Sequence, residues 1–358
     1  MTQLLRVVSQ IAVKYYLRSQ DPTEQCTGWQ TFTLLLNIAK YICEHRLHAR
    51  GPHFTKLHAE SINAVRASCS CLKLLPSIDA SFAETTSQVT NELLHLVLLV
   101  TDTTVLPAPT VVMQSVVDLM ASLPWTVPTE ILHSSSNMQL LKKGIHSISQ
   151  SLPYGIQGKL YTALSLSLLP PTLPINSPEW SSRQSAYMEF ASPVSHSLIE
   201  VTTTLTNNPS RKLEVGIRSH ISRDTFILKS LARAVRDAPK PAKECYAQII
   251  SSLVQSSLAL FPLYLDHSVQ QEFSHCIIVV QHVVAMYTVI LDACRKELGS
   301  ECIVTVVGSL VNHLQHGPLI DEMNRSGKSA AQLVATFLKL LETIVKEPTS
   351  SLNVMMPR

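Results

Sequence analysis

The chain has 358 residues, 46% of them hydrophobic and only 15% charged, with a formal net charge of +3. That much apolar surface excludes intrinsic disorder, and a charge so near zero gives no whole-chain signature of nucleic-acid or membrane binding. Ten glycines against 20 prolines speak against phosphate-cradling loops, tight-hairpin sandwiches and most α/β folds, which need glycine at turns and close approaches.

What remains is a helical protein punctuated by proline. Apolar residues recur at steps of three and four through roughly 2–19, 28–47, 56–75, 82–100, 110–122, 137–151 and 156–169. The pattern resumes through 194–206, 212–237, 241–261, 268–297, 301–315 and 328–346. This is the period of half-buried helices. Phe32, Leu35, Leu36, Ala39, Ile42 and Cys43 share one face; so do Tyr246, Ile249, Ile250, Leu253 and Leu260; a third stripe joins Leu333, Val334, Phe337, Leu341, Ile344 and Val345. The prolines fall mostly between these stretches, where a helix begins or has already stopped.

Val201–Leu205 and Ile303–Val307 are β-branched enough to favour strands, but their helical neighbours and the absence of a partner run read as helix. Residues 276–293 approach membrane-spanning length, yet Gln281 and His282 at their centre indicate a buried helix, with no membrane insertion. A file of helices joined by short loops suits either a large bundle or stacked helical pairs of about 40 residues, the HEAT or armadillo period. Residues 170–182, with four prolines, form the clearest loop. They divide helical repeats over 1–169 from helical repeats over 183–358.

Eight cysteines, at 26, 43, 69, 71, 245, 276, 294 and 302, are too sparse and irregular for a disulfide scaffold. With no apolar leader at the start, they indicate a soluble protein in a reducing compartment. Gly327-Lys328-Ser329 ends like a phosphate-binding loop, but Glu322 stands where that motif needs glycine. A helix start capped by Ser326 or Ser329 accounts for it better. His58-Ala-Glu60 and Cys69-Ser-Cys71 carry the residue types of a zinc deaminase, whose cysteines are two residues apart, not one. Cys43, His45, His48 and His53 lie near this group in sequence, but on a helix Cys69 and Cys71 point roughly 200° apart. No nucleophile elbow is present. Neither enzyme activity, nor a metal, nor a cofactor is expected.

Two stretches are locally basic: nine Lys and Arg against four acidic residues in 1–75, and the same ratio in 211–244. Both can be solvated helix faces; as function, they suit an acidic protein partner. Charge density picks out Arg233 and Arg236 as candidate partner-contact residues. Aromatic residues, at 6%, lie on apolar stripes and do not alternate with arginine, unlike a single-stranded nucleic-acid platform.

Three stretches resemble one family. They are Lys243-Glu-Cys-Tyr-Ala-Gln248 running to Ser257-Leu-Ala-Leu-Phe-Pro262; Arg325-Ser-Gly327 with Phe337-Leu-Lys-Leu-Leu341 and Val345-Lys-Glu-Pro348; and Leu168-Leu-Pro170, Leu173-Pro174 and Glu179-Trp180 followed by Arg183. In this order they resemble the later part of an exportin, a karyopherin of the importin-β superfamily, of the branch that carries actin–profilin. The resemblance covers about 160–358, whereas 1–160 offer only a compatible helical pattern. It implies an all-α, HEAT/armadillo-type α-solenoid of stacked antiparallel helix pairs. It also implies a receptor that shuttles between nucleus and cytoplasm, past nuclear pore proteins, binding GTP-loaded Ran and cargo together. Nothing resembles the family's amino-terminal Ran-binding repeats, and family members continue beyond Pro348. The chain is therefore expected to be one section of a longer solenoid, truncated at both ends. The rival reading is a Ran-independent helical-repeat scaffold subunit, indifferent to nucleotide.

Overall fold

Proline and glycine set the helix starts. A computed structural model describes residues 2–9, 14–17, 19–70, 72, 82–101, 108–150, 152–170, 173–265, 273–316 and 328–345, and among these every regular element is a helix. Pro109, Pro128, Pro153, Pro178 and Pro239 each stand immediately before a helix, where a missing N–H costs nothing. Asp21 caps the helix that opens at Pro22, accepting from the Thr23 N–H at 2.8 Å. Gly51, at φ 144°, turns the chain into the helix that opens at Pro52, a backbone region that side chains disfavour.

The chain divides into two compact units, Met1–Pro170 and Pro171–Arg358. In the first, the α-helices of six residues or more are α1 (Thr2–Val7), α2 (Pro22–Glu44), α3 (Pro52–Cys69), α4 (Phe82–Thr101), α5 (Thr110–Thr126), α6 (Thr129–Ser134), α7 (Ser136–Gln150) and α8 (Tyr154–Leu168). They form two layers. One holds α2, α4 and α7, each on the next; the other holds α3, α5 and α8; and α2 crosses to α3 as α4 does to α5. Phe32, Leu35, Leu36, Ala39, Ile42 and Cys43, the predicted stripe of α2, are all buried. Asp118 on α5 lies between flanking cations, 3.7 Å from Arg66 of α3 and 3.3 Å from Lys159 of α8.

The second unit repeats the arrangement with α9 (Glu179–Asn207), α10 (Val215–Val235), α11 (Lys240–Leu258), α12 (Leu260–Leu265), α13 (Phe273–Leu298), α14 (Ser300–His316) and α15 (Lys328–Val345). Here α9, α11 and α14 make one layer, and α10, α13 and α15 the other. Each unit is thus a stack of antiparallel helix pairs, the α-solenoid mode of burying helix faces against neighbours. Lys240–Leu265 and His275–Leu298 are long and apolar enough to cross a membrane. Both are core segments of this unit, with 56% and 67% of their most apolar windows buried.

The β-branched runs Val201–Leu205 and Ile303–Val307 lie within α9 and α14. Two expected boundaries and one expected stripe shift. Helix α9 does not wait for Pro193 but starts at Glu179 and runs through it. Pro193 is on the exposed side, so the Glu189 carbonyl it leaves unbonded can turn to water. The expected 241–261 helix breaks after Leu258, whose carbonyl the Pro262 ring would meet, so Leu260 starts α12. On α15 the buried stripe is Leu333, Phe337, Leu340 and Ile344. Leu341 is only half-buried and Val345 is exposed, because a helix packed mainly on α13 covers a narrow face. Cys71, Arg325-Ser-Gly327 and Lys346-Glu-Pro348 lie outside the described residues.

Candidate functional site

In the second unit the carboxyl-terminal ends of α10 and α13 meet the last turns of α15 and the first turn of α11. Between them lies a cleft of about 680 Å³. Arg233 and Arg236, the two arginines that charge density selects, are on its wall together with Lys243, Arg295, Lys296 and Lys339; Asp292 and Glu297 are its carboxylates. Arg236 reaches Asp292 at 3.8 Å and Asp237 at 3.7 Å, distances at which exposed pairs contribute little.

Arg295 plays a different part. Helix α13 kinks at Cys294 (φ −143°, ψ 32°), and the buried Arg295 guanidinium donates to the Thr343 and Ile344 carbonyls, the latter at 3.4 Å. It satisfies carbonyls that the end of α15 leaves without an intrahelical donor. Arg295 is therefore part of the wall, and the other five cations are the accessible ones.

The field here is positive. One turn before Arg233, the Lys229 ammonium lies over the Phe226 ring, 4.7 Å from its centroid. Burial, and then the charge of Arg233, lowers its pKa. Deeper in, burial and then Lys229 lower that of His282. Lys296 and Lys339 escape a reading of the sequence by charge density because they come from α13 and α15, far along the chain from the basic stretch 211–244 that holds Lys243 with the two arginines. Their one local signal is the Arg295-Lys296 pair just before Gly299, a helix stop at φ 78°.

A second polar cluster joins α9 to α10. Ser197 Oγ donates to Asp224 Oδ2 at 2.6 Å and lies 2.6 Å from His220 Nε2, which is itself 3.1 Å from the same carboxylate oxygen. Arg223 Nε donates to the other oxygen at 2.9 Å. The residue types are those of a hydrolytic triad, but the geometry is not. A relay needs serine and aspartate on opposite imidazole nitrogens, and here both approach Nε2. The cluster instead satisfies a carboxylate that is 2% exposed. Ser197→Ala is expected to cost about 2 kcal/mol in urea unfolding, one hydrogen bond to a buried charge, while an ester substrate gives no acyl-enzyme burst with either protein.

In the first unit, the short turn Leu47–Arg50 brings His48 over His58, rings stacked with centroids 5.4 Å apart. Both are buried, as are Cys43 and Cys69. Among the described residues no three His, Cys, Asp or Glu side chains gather as a metal-binding group. Lys328 and Ser329 belong to the start of α15.

No family model matches the chain. It is 24% identical to Exportin-6-A of Xenopus laevis over 246 residues, 67% of this chain and 20% of that protein. It is 25% identical to Exportin-6 of Mus musculus over 247 residues, 67% of this chain and 21% of that one. Exportin-6 of Dictyostelium discoideum is 20% identical over 323 residues, 89% of this chain and 30% of its own length. The chain thus spans about a fifth of the length of the vertebrate relatives. Similarity over 67% of the chain is longer than the stretch 160–358, so it reaches residues where sequence inspection found no motif. In sequence, the chain resembles a segment of the exportin-6 nuclear export receptors.

Proposed function

We propose that the chain is a section of a nuclear export receptor that shuttles between nucleus and cytoplasm. As part of the whole receptor it binds protein cargo, actin–profilin, together with GTP-loaded Ran, and passes nuclear pore proteins. The observation that carries this reading is the similarity to three exportin-6 proteins from distant organisms. Paired helices with a basic cleft at Arg233 and Arg236 supply a surface for an acidic patch of cargo or Ran. Contacts of this kind steer association and fix register.

The test is capture of actin–profilin by the full-length receptor, with Ran loaded with GTP or with GDP. Capture should require the GTP form; equal capture with either nucleotide indicates a Ran-independent scaffold. Reversing both charges (Arg233→Glu with Arg236→Glu) should weaken capture about tenfold or more at physiological salt, the equivalent of losing a close charge pair. Unchanged affinity at low salt removes the two arginines from the contact surface.

A further inference from the structure

The cleft has a composition that helix stability does not explain. Lys and Arg in the last turn of a helix are ordinary, since they complement the negative end of its dipole. That accounts for Arg233 at the end of α10, Lys296 at the end of α13 and Arg295 across the end of α15. It does not account for Lys243, in the first turn of α11, where the dipole disfavours a cation. Nor does it account for Lys339, more than one turn before the end of α15. Five accessible cations and two carboxylates share one concavity, an excess of positive charge that an anion would neutralise.

The lining also restricts the anion. Among the described residues it contains no aromatic side chain to stack on a nucleobase, and its apolar residues are Val289, Leu291 and Ala293. About 680 Å³ is in the range of small-molecule sites. The cations stand on four packed helices, so they are positioned before any ligand arrives. Two arginine forks and three lysine point charges together suit phosphate oxygens.

We propose that this cleft binds a compact, multiply phosphorylated anion of the inositol-polyphosphate class. The inference deepens the reading of Arg233 and Arg236 as contact residues and is independent of Ran and of transport. Such a ligand would neutralise the cleft and thereby set whether an acidic protein surface can also use it.

The experiment is titration calorimetry of the 358-residue chain with inositol hexakisphosphate at physiological salt, with inorganic phosphate, a doubly phosphorylated peptide and phosphoinositide vesicles as parallel arms. Saturable one-site binding is expected, tighter than for the other three. Arg233→Ser with Lys339→Ser should weaken it about tenfold or more, two charge-assisted contacts having been removed, while Lys56→Ser in the first unit leaves it unchanged. Both cleft residues are exposed, and circular dichroism verifies that the double variant is folded; should it not be, Arg236→Ser alone replaces it. Equal weakening by Lys56→Ser, no binding, or tighter binding of the peptide or vesicles overturns the proposal. Lost nucleotide-dependent cargo capture with hexakisphosphate binding intact counts against the transport reading alone.

Discussion

Lowering the pH from 7.5 to 4 is expected to cost the first unit about 3 kcal/mol through His58. The side chain is fully buried on α3. Burial first, and the neighbouring charge of His48 second, push its pKa down to about 4, against a weaker opposing contribution from the Ala39 carbonyl. The direction fixes the sign. Above about pH 6.5 neither the folded nor the unfolded chain binds a proton at this ring, and the full stability is present. Between about 6.5 and 4 only the unfolded chain binds one, so stability falls with pH, and below about 4 the loss is complete. A shift of this size corresponds to about 3 kcal/mol at 1.36 kcal/mol per pH unit. His48 is lowered in the same direction, by burial and then by Arg46, and steepens the trend.

Carboxylates titrate in part of this window, so the discriminating quantity is the difference between wild type and His58→Phe, which keeps a ring against His48 without a titrating group. Urea unfolding, followed by the fluorescence of Trp29 and Trp125 in the same unit, should show a shallower loss with acid for the variant. Parallel pH profiles for the two proteins would falsify the assignment.

His58 also illustrates how much the sequence disclosed. The buried face of α2 follows directly from apolar spacing, because a helix packed on two neighbours must repeat at three and four residues. The same periodicity places Leu341 and Val345 of α15 inside, where the structure covers Leu340, since spacing records hydrophobicity but not how many neighbours a helix has. Proline positions mark seven of the fifteen numbered helix starts. Yet Pro193 is tolerated within α9 while the helix before Pro262 ends at Leu258; both prolines are exposed, but the residue four before each differs, Glu189 exposed and Leu258 buried, a property of packing. His48 and His58 stand ten residues apart, and only the turn through Gly51 stacks them. The cleft is the same lesson at longer range. Arg233, Arg236 and Lys243 fall in one basic stretch of the sequence, whereas Lys296 and Lys339 join them only because α10, α13 and α15 form one layer.

Removing Glu179 is expected to destabilise the second unit more than removing the arginine it pairs with. Arg183 is completely buried near the start of α9, its Nε and Nη2 donating to Glu179 Oε2 at 3.0 and 2.7 Å. Among the described residues its Nη1 has no hydrogen-bond partner. The guanidinium thus already carries an incompletely repaid desolvation cost, and among the described residues Glu179 is its ion-pair partner. Glu179→Ala leaves the buried cation without its counter-charge; because Glu179 is 44% exposed and partly screened by solvent, the cost is about 2 kcal/mol, less than for a wholly buried pair. It also deletes an acidic group from the first turn of α9, about 0.5 kcal/mol more. Arg183→Met keeps the apolar stem in place and removes the charge together with its desolvation penalty, so its cost should stay within about 1 kcal/mol. Guanidinium-chloride unfolding of both variants, monitored at Trp180, reads the order directly. If Arg183→Met is the more damaging, the guanidinium is contributing bonds that outweigh its burial, and its counter-charge is not what holds the start of α9.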